Sequence, residues 1–390
     1  MSKRPGYLTN LTPLRGLAAL LVAIFHFEMT AGRFIPAGST MFIEKSYLMV
    51  DLFFVLSGFI MLHVYGRAFD GTMQNGNLRH FFVARFARTY PLHLFSLLLL
   101  VVIVRYLTNW GNPPILIEQP RDILPNVFLL QAWGVCKIFN WNIPSWSISA
   151  EWAAYLIFPF LALWFSRRRR AAPILLAAGV VVAWCSIMYL LPRKNPFNPL
   201  IAVPHNLNTT YDYGWLRGIA GFCAGMVTYR FYQRPGTGRM MGGDGASLLI
   251  LLLVAAALHF AVNDALVVLL FAALVLNFSL NNGWLHRICN FRPLQYLGDI
   301  SYSIYLMQIF LQEPFSHGIR LPGVTGTARG KFNFTHFWPG LGFCLLYVLL
   351  LIGIASVTYF LVERPCRRWI NQRWGQPRIP KAVSGLKTEP

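Results

Sequence analysis

Arg15 and His26 stand eleven residues apart in a run that is otherwise apolar, Pro13-Leu-Arg-Gly-Leu-Ala-Ala-Leu-Leu-Val-Ala-Ile-Phe-His26. An ionisable side chain at the centre of a membrane helix costs on the order of 2.5–3.5 kcal/mol, so such a pair needs a reason. At about 100° per residue the two side chains share one helix face, separated by roughly 16 Å of rise. A guanidinium low on that face can hold an anion, and an imidazole above it, titrating near neutrality, can move a proton. The plainer reading has Arg15 reaching to lipid phosphate and His26 hydrogen-bonded within a helix bundle.

Three further clusters carry groups of the same kind. In Val50-Asp51-Leu-Phe-Phe-Val-Leu-Ser57-Gly58 a carboxylate opens an apolar run and a small-residue step follows. Asp51 would lie about one turn into the bilayer, within reach of His26 if the first two helices pack antiparallel, or it forms a structural ion pair; Ser57 and Gly58 suit close helix packing. Arg85 and Arg88 are three apart and project from one side of a helix, where they repel unless they share an anion. Lipid headgroups would serve for that anion as well. Pro144-Ser145-Trp146-Ser147-Ile-Ser149-Ala-Glu151 presents hydroxyls, indoles and a carboxylate, groups that hydrogen-bond and stack on sugars, although tryptophan also populates interfacial belts.

Helices must position these groups, and the composition says in which solvent. The 390 residues are 56% hydrophobic and only 12% charged, about half the charged fraction of an average soluble domain. Ten runs approach the roughly 20 residues that cross a bilayer: 13–31, 46–66, 89–107, 148–166, 172–191, 214–232, 246–262, 264–280, 296–313 and 338–362. The run 123–133 is too short to span and reads as interfacial or re-entrant. The first run, containing Arg15, His26 and Glu28 without a following A-x-A site, reads as a retained helix rather than a signal peptide. With an even number of spans both termini share a side. Placing them inside puts 22 of the 34 Lys and Arg residues in inner segments and 10 in outer ones, as cytoplasmic enrichment requires.

The expected fold is therefore all-α, a polytopic membrane helix bundle of about ten transmembrane helices with both termini cytoplasmic. Residues 1–374 form one integral-membrane domain, and 375–390 a basic cytoplasmic tail. The net charge of +20 orients the chain and does not call for nucleic acid. Six scattered cysteines, with no CxxC pair and no histidine at ligand spacing, indicate neither a disulfide framework nor a metal site.

Leu14-Arg15-Gly16 through His26, Val50-Asp51 through Phe59, Arg85-x-x-Arg88, Ser145-Trp-Ser-Ile-Ser-x-Glu151 and Gly298-Asp-Ile-Ser301-Tyr-Ser-Ile-Tyr305 resemble, in order and over nearly the whole chain, the acyltransferase 3 family of bacterial integral-membrane acyltransferases. The resemblance implies transfer of an acyl group, commonly acetyl, from cytoplasmic acyl-CoA to a hydroxyl of lipopolysaccharide, exopolysaccharide or another glycan at the inner membrane. Acyl-CoA would be a co-substrate, and no tightly bound cofactor is implied. Arg15 and His26 match the essential first-helix pair of the family, and Arg85 and Arg88 its proposed donor-binding pair. The ninth-span motif often ends in His, and Gln308 stands near that place here, so no acid–base role is assigned to it. The soluble SGNH-type domain of some relatives is absent from the pattern, and Gly298-Asp-Ile-Ser301 opens a span rather than forming the serine block of that domain.

His26 then reads as general base, with Asp51 or Glu151 orienting its imidazole and Arg15, Arg85 and Arg88 holding the phosphates of the donor. Direct transfer and an acyl-histidine intermediate fit the same residues. The expected partners are acyl-CoA, a glycan or glycolipid acceptor and membrane lipids. Trp110, Trp133, Trp141, Tyr211, Tyr213 and His336 in the outer loops are available to stack on sugar. Two other classes compete: a transporter or flippase, for which the repeated halves and paired broken helices are missing, and a structural subunit, which has no need of an aligned Arg15 and His26.

Overall fold

Apolar runs interrupted by Pro, Gly and Asn fold as helices because a bilayer offers the backbone no other hydrogen-bond partners. The structure is a computed structural model describing residues 6–30, 34–36, 38–109, 119–138, 140–168, 170–192, 205–317, 324–326, 332–334 and 337–375. Among these residues are ten helices of 15 residues or more. They are α1 (Leu11–Thr30), α2 (Met49–Tyr65), α3 (Asn75–Asn109), α4 (Trp146–Arg167), α5 (Ala171–Cys185), α6 (Gly214–Tyr232), α7 (Asp244–His259), α8 (Asp264–Leu280), α9 (Ser301–His317) and α10 (Phe337–Thr358). Each overlaps one of the ten expected runs. Six helical stretches, beginning at Leu11, Glu44, Asn75, Ile143, Ala171 and Phe337, are long and apolar enough to cross a membrane, while α7 and α8 are shorter apolar helices. The expected all-α class holds at the level of a helix bundle. To it the structure adds one antiparallel ladder, Val324–Gly326 against Phe332–Phe334, with Val324 opposite Phe334. A final helix, α11 (Arg364–Trp374), continues α10 through one wide turn and packs on α3. Trp110, His336 and all of the expected tail beyond Gly375 lie outside the described residues.

Helix α6 is the wedge of the bundle, packed between α2 and α4 with α5 and α8 alongside. Small residues allow this, because without a Cβ two backbones can touch. Gly58 of α2 meets the carbonyl of Phe222, Gly225 of α6 meets the carbonyl of Val55, and Gly218 packs on Ala150 of α4. A side chain at Gly225 would overlap a backbone oxygen that cannot move aside. Gly225→Leu is therefore expected to abolish recovery of monodisperse protein from detergent, whereas Gly179→Leu, where the space is open, leaves the yield unchanged.

Two departures from the expected spans bear on the site. The ninth run, 296–313, divides into a short helix, Arg292–Asp299, and α9 beginning at Ser301. The break lies where Gly298 touches Thr12 and Gly16 touches Leu297, a glycine-on-glycine crossing against α1. The third run, 89–107, is the second half of a 35-residue helix that continues through Pro91 and brings Arg85 and Arg88 onto the same rod.

Residues 119–138 and 140–145 pack back on α3 and α4, and a buried polar network holds them. His93 Nε2 donates to the Asn126 carbonyl at 2.8 Å, Asn142 Nδ2 to Ser96 Oγ at 2.7 Å, and Gln131 Nε2 to Ser145 Oγ at 2.8 Å. Ser149 Oγ donates to the Leu129 carbonyl at 2.6 Å and accepts from Ala132 N at 3.1 Å. Leu129, at φ 57°, and Gly134, at φ 75°, make the tight reversals.

Candidate active site

The four arginine and carboxylate positions at one end of the bundle converge on a single cavity. It has a volume of about 850 Å³, its open mouth included, and its walls include Arg15, Arg85, Arg88, Ser57 and Glu151. Along α2 the lining runs from Val50 to Met61, about 16 Å of helix rise. Each charged group reaches the cavity from a different helix: Arg15 from α1, Arg85 and Arg88 from α3, Glu151 from α4.

The three arginines are held differently. Arg15 Nη2 donates at 2.9 Å to the Gly298 carbonyl, which the break before α9 leaves available. Arg88 forms an ion pair with Glu363 at the end of α10, and Ser303 Oγ donates to the other oxygen of that carboxylate at 2.9 Å. Arg85 has no carboxylate partner among the described residues. Its Nη2 donates to the Tyr65 hydroxyl at 3.3 Å, its guanidinium lies 5.5 Å and 5.9 Å from the Tyr65 and Tyr155 ring centroids, and its Nε is buried without an acceptor. A half-buried cation held by ring faces and a single phenol is a cation that can accept an anion. Across the cavity, Glu151 accepts from Ser57 Oγ and Tyr155 Oη, both at 2.6 Å.

His26 and Asp51 are not in the lining. Asp51 is not the orienting partner of His26: it lies fully buried against Arg217 of α6, at 0% exposure for both side chains, in a bidentate pair with Nε at 3.0 Å and Nη2 at 2.6 Å. Arg217 also donates to the Thr209 carbonyl at 3.2 Å and sits 5.2 Å from the Trp146 ring centroid. Beside this pair Asp264, at the start of α8, accepts from Lys45 at 2.6 Å, Tyr47 at 2.7 Å and the Leu207 amide at 2.8 Å. Together these groups fasten the loops at the far end of the bundle.

The group bonded to His26 Nδ1 is Gln308 Oε1, at 3.1 Å, and not either of the two carboxylates considered for that place. Gln308 is fully buried, and its Nε2 donates to the Tyr305 carbonyl at 2.8 Å, one turn back on α9. With the amide nitrogen so engaged, its oxygen faces the imidazole, Nδ1 carries the proton and Nε2 the lone pair. Tyr305 is itself in the cavity wall, so His26 stands one helical turn of α9 beyond the lining.

Of the three alternating serines only Ser147 reaches the cavity wall. Ser145 and Ser149 are fully buried in the network that folds 119–145, and Ser147 Oγ donates to Tyr305 Oη at 2.8 Å. The alternation places Ser145 and Ser149 against residues 129–132 and Ser147 against α9. Three residues of consequence carried little weight in the sequence reading: Arg217, Glu363 and Gln308.

The structure is thus a multi-helix membrane bundle with a half-buried arginine cluster in the wall of a cavity. The chain belongs to the acyltransferase 3 family, whose acyltransferase domain matches residues 9–362. It is 26% identical to the acyltransferase MdmB of Streptomyces mycarofaciens, with 96% of this chain and 95% of that protein aligned. It is 24% identical to the peptidoglycan O-acetyltransferase OatA of Listeria monocytogenes over 93% of this chain, which spans 56% of the length of that relative. Protein 2 in the picA locus of Rhizobium radiobacter is 33% identical over 43% of this chain and 88% of its own length. No solved structure is similar to the chain.

Proposed function

We propose that the protein is an acyl-CoA-dependent O-acyltransferase of the inner membrane, with ten spans and cytoplasmic termini, that moves an acyl group, most simply acetyl, to a hydroxyl of an exported or cell-surface glycan. The observation that carries this reading is the cavity, which has three guanidiniums at one end and runs about 16 Å along α2. Coenzyme A has matching parts: phosphates for the arginines and a flexible arm to lie along the helix. The relation to a peptidoglycan O-acetyltransferase supports a glycan acceptor. The excess of Lys and Arg in the segments that share a side with the arginine cluster supports a cytoplasmic donor.

In this reading Arg85 binds donor phosphate directly, Arg15 adds charge at the same end, and Arg88 is released from Glu363 or shared with it. His26 Nε2 removes the proton of the acceptor hydroxyl as its oxygen attacks the thioester carbonyl carbon. A tetrahedral intermediate collapses with cleavage of the C–S bond, and the imidazolium returns its proton to the departing thiolate. The products are the glycan ester and free coenzyme A. Gln308 keeps Nδ1 protonated throughout, and Glu151, through Ser57, orders the polar wall of the cavity.

The test is acetyl transfer from radiolabelled acetyl-CoA by purified protein reconstituted with peptidoglycan or surface-polysaccharide acceptors. Absence of both transfer and slow hydrolysis in every preparation that binds acceptor would overturn the proposal. Within it, Arg85→Ala is expected to weaken binding of coenzyme A by about 10- to 100-fold, as loss of a charge-assisted contact requires. Titration calorimetry checks this, and unchanged affinity would remove Arg85 from the donor site.

A further inference from the structure

A second concave site, separate from the cavity described above, lies at the junction of α10, α11 and the short helix Arg292–Asp299. It has a volume of about 1,080 Å³, and Arg364, Arg367, Arg368 and Asn371 contribute to its wall. Their spacing, i, i+3, i+4 and i+7, puts all four on one stripe of α11. Three guanidiniums on a single stripe repel one another unless an anion neutralises them. Among the described residues none of the three has a carboxylate within ion-pair distance, and the lone acidic group in the wall is Asp299. On the other side of α11 Trp369 is exposed and lies under the Arg373 guanidinium, 5.8 Å from its ring centroid. The arginine stripe lines the concavity.

The site adjoins the first cavity. Helix α11 packs on α3, and Arg367 is within electrostatic reach of Arg88, Glu363 and Arg85. Arg88, in the wall of the first cavity, is paired with Glu363, which directly precedes Arg364 in the wall of the second.

We propose that Arg364, Arg367 and Arg368 form a phosphate-ester site. Its chemistry is planar, forked donation to phosphate oxygens. This chemistry has two sources, the nucleotide phosphates of the donor and the headgroup of an anionic lipid. The first source rests on the donor reading given above, whereas the second does not.

The experiment is titration calorimetry of the full-length protein in uncharged detergent with three probes: coenzyme A, 3′-dephospho-coenzyme A and a short-chain phosphatidylglycerol. Two triple variants are compared with the unaltered protein: Arg364→Gln/Arg367→Gln/Arg368→Gln, and the corresponding change of all three to Lys. The glutamine variant is expected to weaken one ligand by about 30-fold or more, and the lysine variant, which keeps charge but loses the fork, by a smaller factor. Weakened coenzyme A with unchanged lipid identifies the nucleotide, and 3′-dephospho-coenzyme A then tells whether the 3′-phosphate is the group held. Weakened lipid with unchanged coenzyme A identifies the headgroup. Affinities for both that match the unaltered protein in either triple variant overturn the site. If the unaltered protein binds no coenzyme A, the donor reading fails and the lipid titration alone decides this one. Should the glutamine variant not fold, the lysine variant decides by the same comparison.

Discussion

His26→Ala is expected to lower acyl transfer by about a thousandfold while leaving affinity for coenzyme A within about twofold, the signature of a lost proton-transfer group rather than a lost binding contact. Two bonds set the tautomer of the ring. Gln308 gives its amide N–H to the Tyr305 carbonyl and turns its oxygen to Nδ1, so the ring is held in the tautomer whose lone pair is at Nε2. Gln308→Leu removes one of the bonds on the ring while that to the Val22 backbone remains, and is expected to reduce transfer by about threefold with the same donor affinity. Single-turnover measurement with saturating labelled acetyl-CoA separates the two effects from product release. Full glycan acylation by His26→Ala would sink the general-base assignment.

Arg217→Ala is expected to cost about 3–5 kcal/mol of stability, enough to prevent recovery of folded protein, because it leaves Asp51 charged and buried. Asp51→Ala strands the guanidinium and has the same consequence. The combined Asp51→Leu/Arg217→Met variant replaces the pair by apolar groups of similar size and is expected to restore most of the lost stability, measured as the apparent unfolding temperature in one detergent. The double variant also separates two views of Asp51. If this carboxylate serves only the fold, the restored protein transfers acyl groups at a rate within about threefold of the unaltered one. If the restored protein is stable and inactive, Asp51 takes part in the chemistry despite its bonds to Arg217.

The bundle was largely legible in the sequence because the free energy that forms it is local. Each run of apolar residues declares its own helix, and the ten runs correspond to ten helices, although α3 begins 14 residues before its run. Larger differences have tertiary causes. The ninth run breaks after Asp299, beside the crossing of Gly298 on α1, and nothing within residues 296–313 reports that contact. Arg15, Arg85 and Arg88 could be read as one cluster because charge in an apolar or crowded setting asks for an anion. Their neighbours could not, since the partner of Arg88 is 275 residues away.

The signals for the missed residues were present but unpaired. Arg217 lies within a predicted span and Asp51 at the start of another, and two isolated opposite charges in one membrane domain are natural partners. Glu363 is the single acidic residue between Glu313 and Glu389, at the end of a long apolar run. The serines before Glu151 misled for a different reason. A hydroxyl suits a sugar and a folded backbone equally, and only the path of residues 119–145 decides between them.

The glycine contacts divide the chain into parts that can drift and parts that cannot. At Gly16, Gly58, Gly225 and Gly298 one backbone rests on another, and any side chain there would have to displace a helix. Arg15 is the immediate neighbour of Gly16 and binds the carbonyl of Gly298, so the crossing that forbids change also holds a guanidinium in the cavity wall. A lineage could vary positions such as Gly179, where the space is open, while these four stay fixed. Inherited constancy at the arginine end would then follow from steric necessity as much as from chemistry.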